Sequence, residues 1–200
     1  MATWIFEPGH TGAEFRARHM MVTWVRGSFK DIHGRLELDW DRCLEATFQG
    51  EIDARGIWTG EAARDTHLRS PDFLDVENYP KITFAGRTVE RTGAASFRGQ
   101  VDLTIRGVTR TLPLHVLYHG EWKTPFWLDG ENKGEITRAG FEANTTLNRH
   151  DFGVSWQGEL PGGGLTVGSQ VDIVLDVEVM LLKDLERTGG IDYYRQIGAV

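Results

Sequence analysis

The 200-residue chain has one cysteine, six prolines and no apolar run of membrane length, and each scarcity excludes something. A lone Cys43 rules out an intramolecular disulfide and any multi-cysteine metal site. Its neighbours Leu44, Ala46 and Phe48 assign it to a half-buried strand rather than to nucleophilic chemistry. No stretch approaches the ~18 apolar residues of a membrane span, so no integral membrane association is expected. The opening Met1-to-His10 segment has no basic start and no apolar run of ~7–15 residues, so it does not read as a secretion signal and a cytoplasmic chain is expected. Lys and Arg number 22 against 29 Asp and Glu, a net charge of −7, and they form no run along the chain. That balance offers no electrostatic footprint to a nucleic acid or to an anionic membrane surface. With 24 glycines against the 6 prolines, many tight turns in one domain are expected rather than linkers.

What fills the chain instead is alternation. Trp4 and Phe6 begin it, followed by Phe15, Ala17 and His19 on one face, then Leu36, Leu38 and Trp40, then Phe48, Gly50 and Ile52. It resumes with Ile82 and Phe84, with Phe97, Val101, Leu103 and Ile105, and with Leu112, Leu114, Val116 and Tyr118. Arg106-Gly107 separates the last two segments as a tight hairpin. Phe141, Ala143, Thr145 and Leu147 form one more strand, and Val171 to Leu181 the clearest of all, with Asp172, Asp176 and Glu178 on its opposite face. About eight to ten short strands with a single helix predict an all-β domain over residues 1–182, a sandwich or a closed antiparallel barrel. Residues 183–200 form a C-terminal tail, read as a short packed helix or a contact with another subunit.

The longest interruption runs from Arg64 to Asp75 and on through Tyr79-Pro80. Thr59 is a plausible N-cap, Ala62 and Ala63 favour helix, and Pro71 limits it, so a helix is expected at about residues 61–69. Asp65 and Arg69, four apart, can make an ordinary surface pair. Two other segments break the pattern. Glu121 to Lys133 reads as a loop carrying Trp122, Phe126 and Trp127, and Gly158 to Gly164 as a flexible loop without the setting of a phosphate-binding loop.

Six pieces, in order and spacing, resemble the YceI family of polyisoprenoid-binding, lipocalin-like proteins. They are Trp4-Ile5-Phe6 with His10-Thr11 and Phe15; Arg18-His19 before Val25-Arg26-Gly27-Ser28-Phe29; and Arg64-Asp65-Thr66-His67-Leu68-Arg69-Ser70-Pro71-Asp72-Phe73. Tyr79-Pro80 with Phe84, Leu103 to Thr109, and Asn148-Arg149-His150-Asp151-Phe152-Gly153 complete the set. Thr11 stands where the family often has Ser, and the tail from Lys183 lies outside the pattern. The resemblance implies a single lipocalin-like antiparallel barrel of about eight strands around an apolar cavity. It also implies binding or carriage of an isoprenoid lipid, quinone or other long-chain amphiphile, without catalysis or cofactor, and it is compatible with a homodimer.

On that reading Phe15, Phe84, Leu103, Leu114, Phe141 and Ile173 sample the cavity lining. Arg64, His67, Arg69, Trp127, Arg149 and His150 are the candidates for a polar head group at the mouth, because Arg offers a planar fork to phosphate or carboxylate and His can donate to a carbonyl. A structural alternative has Arg149 and Asp151 pairing with Asp65 or Arg64 to pin the helix to the barrel. Two other functions compete: acid–base catalysis by His67 with Asp65 or Asp151, and partner binding through Trp122, Phe126, Trp127 and the Tyr193-Tyr194 tail. His10, His19, His67 and His150 contain no His-x-His or His-x₃-His pair, so no metal is expected.

Overall fold

The computed structural model describes residues 1–158 and 164–199, and among these the alternating segments become ten strands. They are β1 (Ala2–Phe6), β2 (Gly12–His19), β3 (Thr23–Phe29), β4 (Ile32–Leu38), β5 (Thr47–Asp53), β6 (Lys81–Arg91), β7 (Ser96–Ile105), β8 (Val108–Leu128), β9 (Glu131–Asn148) and β10 (Val167–Leu181). All neighbours pair antiparallel in the order β1-β4-β5-β6-β7-β8-β9-β10, and β10 pairs back to β1, which closes the barrel. The long β10 pairs with β1 at one end, Phe6 opposite Val179, and with β2 at the other, Phe15 opposite Ile173. Since β2 continues β1 and β3 leads into β4, the ten segments make eight staves. Closure removes the sheet edge along most of the circumference.

Three phenylalanines show how the lumen stays open. Phe15 pairs across the strands with Gly27, Phe84 with Gly50, and Phe48 with Gly86. A Cβ on Gly27 would lie 2.4 Å from the Phe15 ring, on Gly50 2.4 Å from the Phe84 ring, and on Gly86 2.2 Å from the Phe48 ring. Each ring therefore occupies the space a side chain would take on the facing strand. The rings stay against the wall, and the axis is left free.

One helix, α1 (Ala62–Arg69), crosses one end of the barrel as expected, but its capping is not the expected one. Glu61 is the N-cap, its carboxylate accepting from the Ala63 and Arg64 N–H groups. Thr59 instead donates through its N–H (2.9 Å) and hydroxyl to the carboxylate of Asp65, which is buried. Asp65 is thus no surface partner of Arg69, whose guanidinium donates to the Arg55 and Ile57 carbonyls at 2.7 and 2.8 Å. The cause is the loop before the helix: its backbone N–H and carbonyl groups lie outside the strand ladders, and these side chains satisfy them.

Two further expectations are corrected. Cys43 lies in a 3-10 turn, Trp40–Glu45, not on a strand. Residues 121–133 are not a loop: β8 and β9 run on as a paired hairpin to a turn at Asp129-Gly130, with irregular register near Gly120 and Pro125. Hydrogen-bonded pairing overrides the local signal of Pro125 and the charged residues. On this extension Trp122 and Trp127 are exposed, whereas Phe126 is buried. Phe126 packs with Ile136, Ile5 and Met180 against the tail, which forms α2 (Leu182–Thr188) and α3 (Ile191–Gln196) and contributes Leu185, Ile191 and Tyr194. Residues 159–163 of the expected Gly158–Gly164 loop, and Val200, lie outside the described residues.

Candidate functional site

The inward residues of the staves enclose a cavity of about 300 Å³. Phe15, Phe84, Leu103, Leu114, Phe141 and Ile173 all lie on its wall. They do so because period-two alternation points every second residue inward once the barrel's inside is the buried face. On β10 this places Val171, Ile173, Leu175, Val177 and Val179 on the lumen, while Asp172 faces outward to Arg16 at 2.9 Å. Toward one end the wall is Trp40, Cys43, Phe97 and Val116; Trp40 packs at a tilt against Tyr118 (4.5 Å between centroids), and Tyr118 likewise against Phe141 (5.3 Å). Burial, with Glu121 nearby, raises the pKa of the Tyr118 phenol. Toward the other end it is Leu68 of α1, Phe73, Phe152 and Val154.

The polar candidates separate into different places. Arg149 alone among them lines the cavity. It is 4% exposed and donates to four carbonyls: Gly168 (3.0 Å), Val154 (2.7 Å), Trp156 (2.9 Å) and Val167 (3.1 Å). No carboxylate pairs with it among the described residues, and burial lowers its pKa from the ordinary value. The alternative network, Arg149 and Asp151 pairing with Asp65 or Arg64, does not form among the described residues, because backbone carbonyls around the β9–β10 connection take the Arg149 donors. Asn148 starts that connection by capping a 3-10 turn, Arg149–Phe152, through the His150 N–H at 3.1 Å. The turn ends at Gly153, whose φ of 74° is left-handed.

Arg64 is spent on Thr59, donating to its hydroxyl (2.7 Å) and carbonyl (2.9 Å), and Arg69 on the carbonyls already named. His67 contacts Asp72 at 2.9 Å rather than Asp65 or Asp151, and its ring lies edge-on to Phe73 and Trp156. Neither His67 nor Asp65 is on the cavity wall. His150 is exposed, and Trp127 sits 64% exposed on the distal hairpin, away from the lumen. Sequence reasoning did not assign Trp156, which closes over His67 and Phe73. Nothing in its local pattern marks it, since it follows an irregular turn.

One group of side chains has the spacing of metal ligands. Glu7, His10 and Glu178 bring a ligand atom each within 4.8 Å of one another on the outside of the barrel. The His10 Nδ1 lies 3.1 Å from Glu7 and 3.3 Å from Glu178, Arg138 pairs with Glu178, and the Tyr194 hydroxyl contacts Glu7 at 3.5 Å. Burial, with the Glu7 carboxylate beside it, pushes the Tyr194 phenol far above its ordinary range. As it stands the cluster ties α3 to the junction of β1 and β2.

The model of the YceI-like domain matches residues 4–179. The chain belongs to the YceI-like family. Among relatives of this YceI-like protein, a UPF0312 protein of Pseudomonas putida is 34% identical over 152 residues, 76% of this chain and 75% of the relative. A UPF0312 protein of Pseudomonas fluorescens is 33% identical over 154 residues. Among solved structures, Burkholderia cenocepacia BcnA superposes with a TM-score of 0.70 at 17% identity, covering 86% of this chain and 98% of BcnA. A polyisoprenoid binding domain from Saccharophagus degradans superposes with 0.61 at 12% identity, covering 90% and 99%. At these identities the structural likeness speaks for the fold alone. The tail from α2 onward lies beyond the matched span.

Proposed function

We propose that this YceI-like protein binds an isoprenoid lipid, quinone or other long-chain amphiphile inside the barrel and stores or carries it. The observation that carries the reading is the cavity itself: a lumen of about 300 Å³ walled by phenylalanine, leucine, isoleucine and valine. Polar atoms are few there, and the Thr145 hydroxyl is already donated to the Pro113 carbonyl at 2.7 Å. A site of this kind has little to offer a polar substrate and much to offer a hydrocarbon chain. The polyisoprenoid binding described for the Saccharophagus degradans domain agrees with the reading.

The energetics are permissive. Burial is worth ~0.8 kcal/mol per methylene, so ten buried methylenes supply ~8 kcal/mol gross, the scale of a micromolar complex. Apolar burial is non-directional, so it supplies affinity that grows with the buried chain length but only modest selectivity. Arg149 adds a positive charge beside one end of the lumen, and among the described residues no carboxylate neutralises it, which favours an anionic head group there. Mass spectrometry of the organic extract, beside native mass spectrometry of the intact protein, tests the proposal. A stoichiometric lipid with five-carbon mass increments is the expected result. Protein that stays empty after incubation with polyprenyl phosphates and quinones overturns it.

A further inference from the structure

The β2–β3 hairpin combines two features that the cavity does not explain. Its turn, His19-Met20-Met21-Val22, closes with the Val22 N–H on the His19 carbonyl at 3.0 Å, and both methionines have positive φ, 48° and 61°. A turn with positive φ at both central residues favours Asn-Gly there, because bulkier side chains are strained in that conformation. Here it presents Met20, Met21 and Val22 at 43%, 58% and 79% exposure. The Met20 N–H is held by the Thr166 carbonyl at 2.9 Å, which brings Leu165, 46% exposed, beside the same tip.

Behind the tip, strand register gathers charge. Arg16 lies opposite Arg26 and Arg18 opposite Trp24, and the Arg16 and Arg18 guanidinium carbons stand 4.6 and 4.1 Å from the Trp24 ring centroid. Asp172 neutralises Arg16, and Glu14 is the exposed carboxylate further back on β2; among the described residues Arg18 and Arg26 have no carboxylate partner. On a chain of net charge −7 this is a local reversal of sign. An apolar tip backed by arginines and a tryptophan has the composition of an element that lies at a bilayer interface. The tip also adjoins the lumen: Val167 pairs with His19, and Val167 and Ala17 line the cavity.

We propose that the β2–β3 hairpin docks this end of the barrel on an anionic lipid bilayer, with Met20, Met21 and Val22 entering the interface and Arg18 and Arg26 meeting the head groups. Its purpose, exchange of a lipid between bilayer and cavity, rests on the lipid-binding reading above. The contact itself does not, and it is tested by itself. The full chain is sedimented with phosphatidylglycerol–phosphatidylcholine vesicles and with pure phosphatidylcholine vesicles, at low and high salt. Wild type is expected to partition roughly tenfold better onto the anionic vesicles and to lose that advantage at high salt.

M20N/M21G installs the pair the turn prefers, so the variant should fold at least as well while its partitioning falls at least about fivefold. R18Q/R26Q should fall about tenfold on the anionic vesicles and so lose the wild-type preference, within the roughly fivefold that each basic residue can contribute at an anionic surface. Wild type that binds neither vesicle overturns the proposal, as do folded variants that bind like wild type. So does a tip variant that changes oligomeric state in light scattering with vesicle binding unchanged. Native mass spectrometry of the same preparations separates the two ideas: lipid-loaded protein that ignores vesicles sinks the docking alone, and empty protein that docks as expected supports the docking while removing the carrier reading.

Discussion

Filling the middle of the lumen should abolish ligand binding and spare the fold. Ala143 sits on β9 between Phe141 and Thr145, opposite Val116 on β8 and Leu175 on β10, and its methyl faces the cavity. In Ala143→Phe the added ring brings six carbons into space that about six methylenes of a bound chain would occupy. At ~0.8 kcal/mol per methylene, the complex loses ~5 kcal/mol, between three and four powers of ten in Kd. The same ring enters a lumen of about 300 Å³, so the usual overpacking cost of ~1–3 kcal/mol should largely be avoided. Thermal melting of the ligand-free protein should therefore change little, while native mass spectrometry with a polyprenyl probe should show the bound species vanish. A folded Ala143→Phe protein that binds the probe with wild-type affinity would refute the argument that the lumen is the site. A variant that neither folds nor binds would transfer the test to Val116→Phe on the neighbouring strand.

Asp65→Ala should cost ~3 kcal/mol in denaturant unfolding, because it leaves the Thr59 N–H and hydroxyl without their acceptor; a loss under about 0.5 kcal/mol would show that water replaces the carboxylate. Arg149→Met should destabilise by ~2–4 kcal/mol, since four carbonyls lose their donor, and Arg149→Lys should recover only part of that because a single ammonium cannot span the fork; full recovery by Lys would mean that charge rather than geometry matters. Gly86→Ala should push the Phe48 ring into the lumen and lower both stability, by ~1–3 kcal/mol, and probe affinity; an unchanged affinity would contradict the role given to the Phe–Gly pairs. The last prediction concerns pH. Burial acts to lower the His33 pKa, but its hydrogen bonds to Asp31 and to the Gly198 carbonyl and the charges of Asp31 and Glu51 outweigh this, and the net shift is upward. A raised folded-state pKa gives stability that is complete below the unfolded value and fades as pH rises through the folded one. Proteolysis of the tail should accelerate toward alkaline pH, after correction for the protease's own profile, and His33→Gln should flatten the trend; acceleration toward acid would show the sign to be wrong.

Most of the strands were legible because alternation is a local property: which residues share a face follows from neighbours two positions away, while which face turns to the lumen does not. Phe15, Phe84, Leu103, Leu114, Phe141 and Ile173 needed only the assumption that the apolar face turns inward. The helix after Thr59 was visible in its alanines and Pro71, but not its cap, because the loop before it takes Thr59 for Asp65. The head-group candidates were read as one set only because they carry polar or amphipathic side chains and lie in three segments that break the alternation. Arg64, His67 and Arg69 satisfy backbone or a neighbouring carboxylate, and Trp127 belongs to the other end of a hairpin that reads locally as a loop.

By itself, the sequence determined the all-β class, the helix at about residues 61–69, the family and the apolar character of the lumen, because these follow from periodicity, short-range signals and residue identity. Only the tertiary structure decided that Arg149 alone of the polar candidates faces the cavity, that the tail closes a second apolar cluster with Phe126 and Ile136, and that three dispersed arginines share one hairpin face. The reason is physical. Polar groups in irregular segments go to whichever buried donors and acceptors the closed barrel brings near them, and that choice depends on partners up to 19 residues away for Arg149 and 165 for His33.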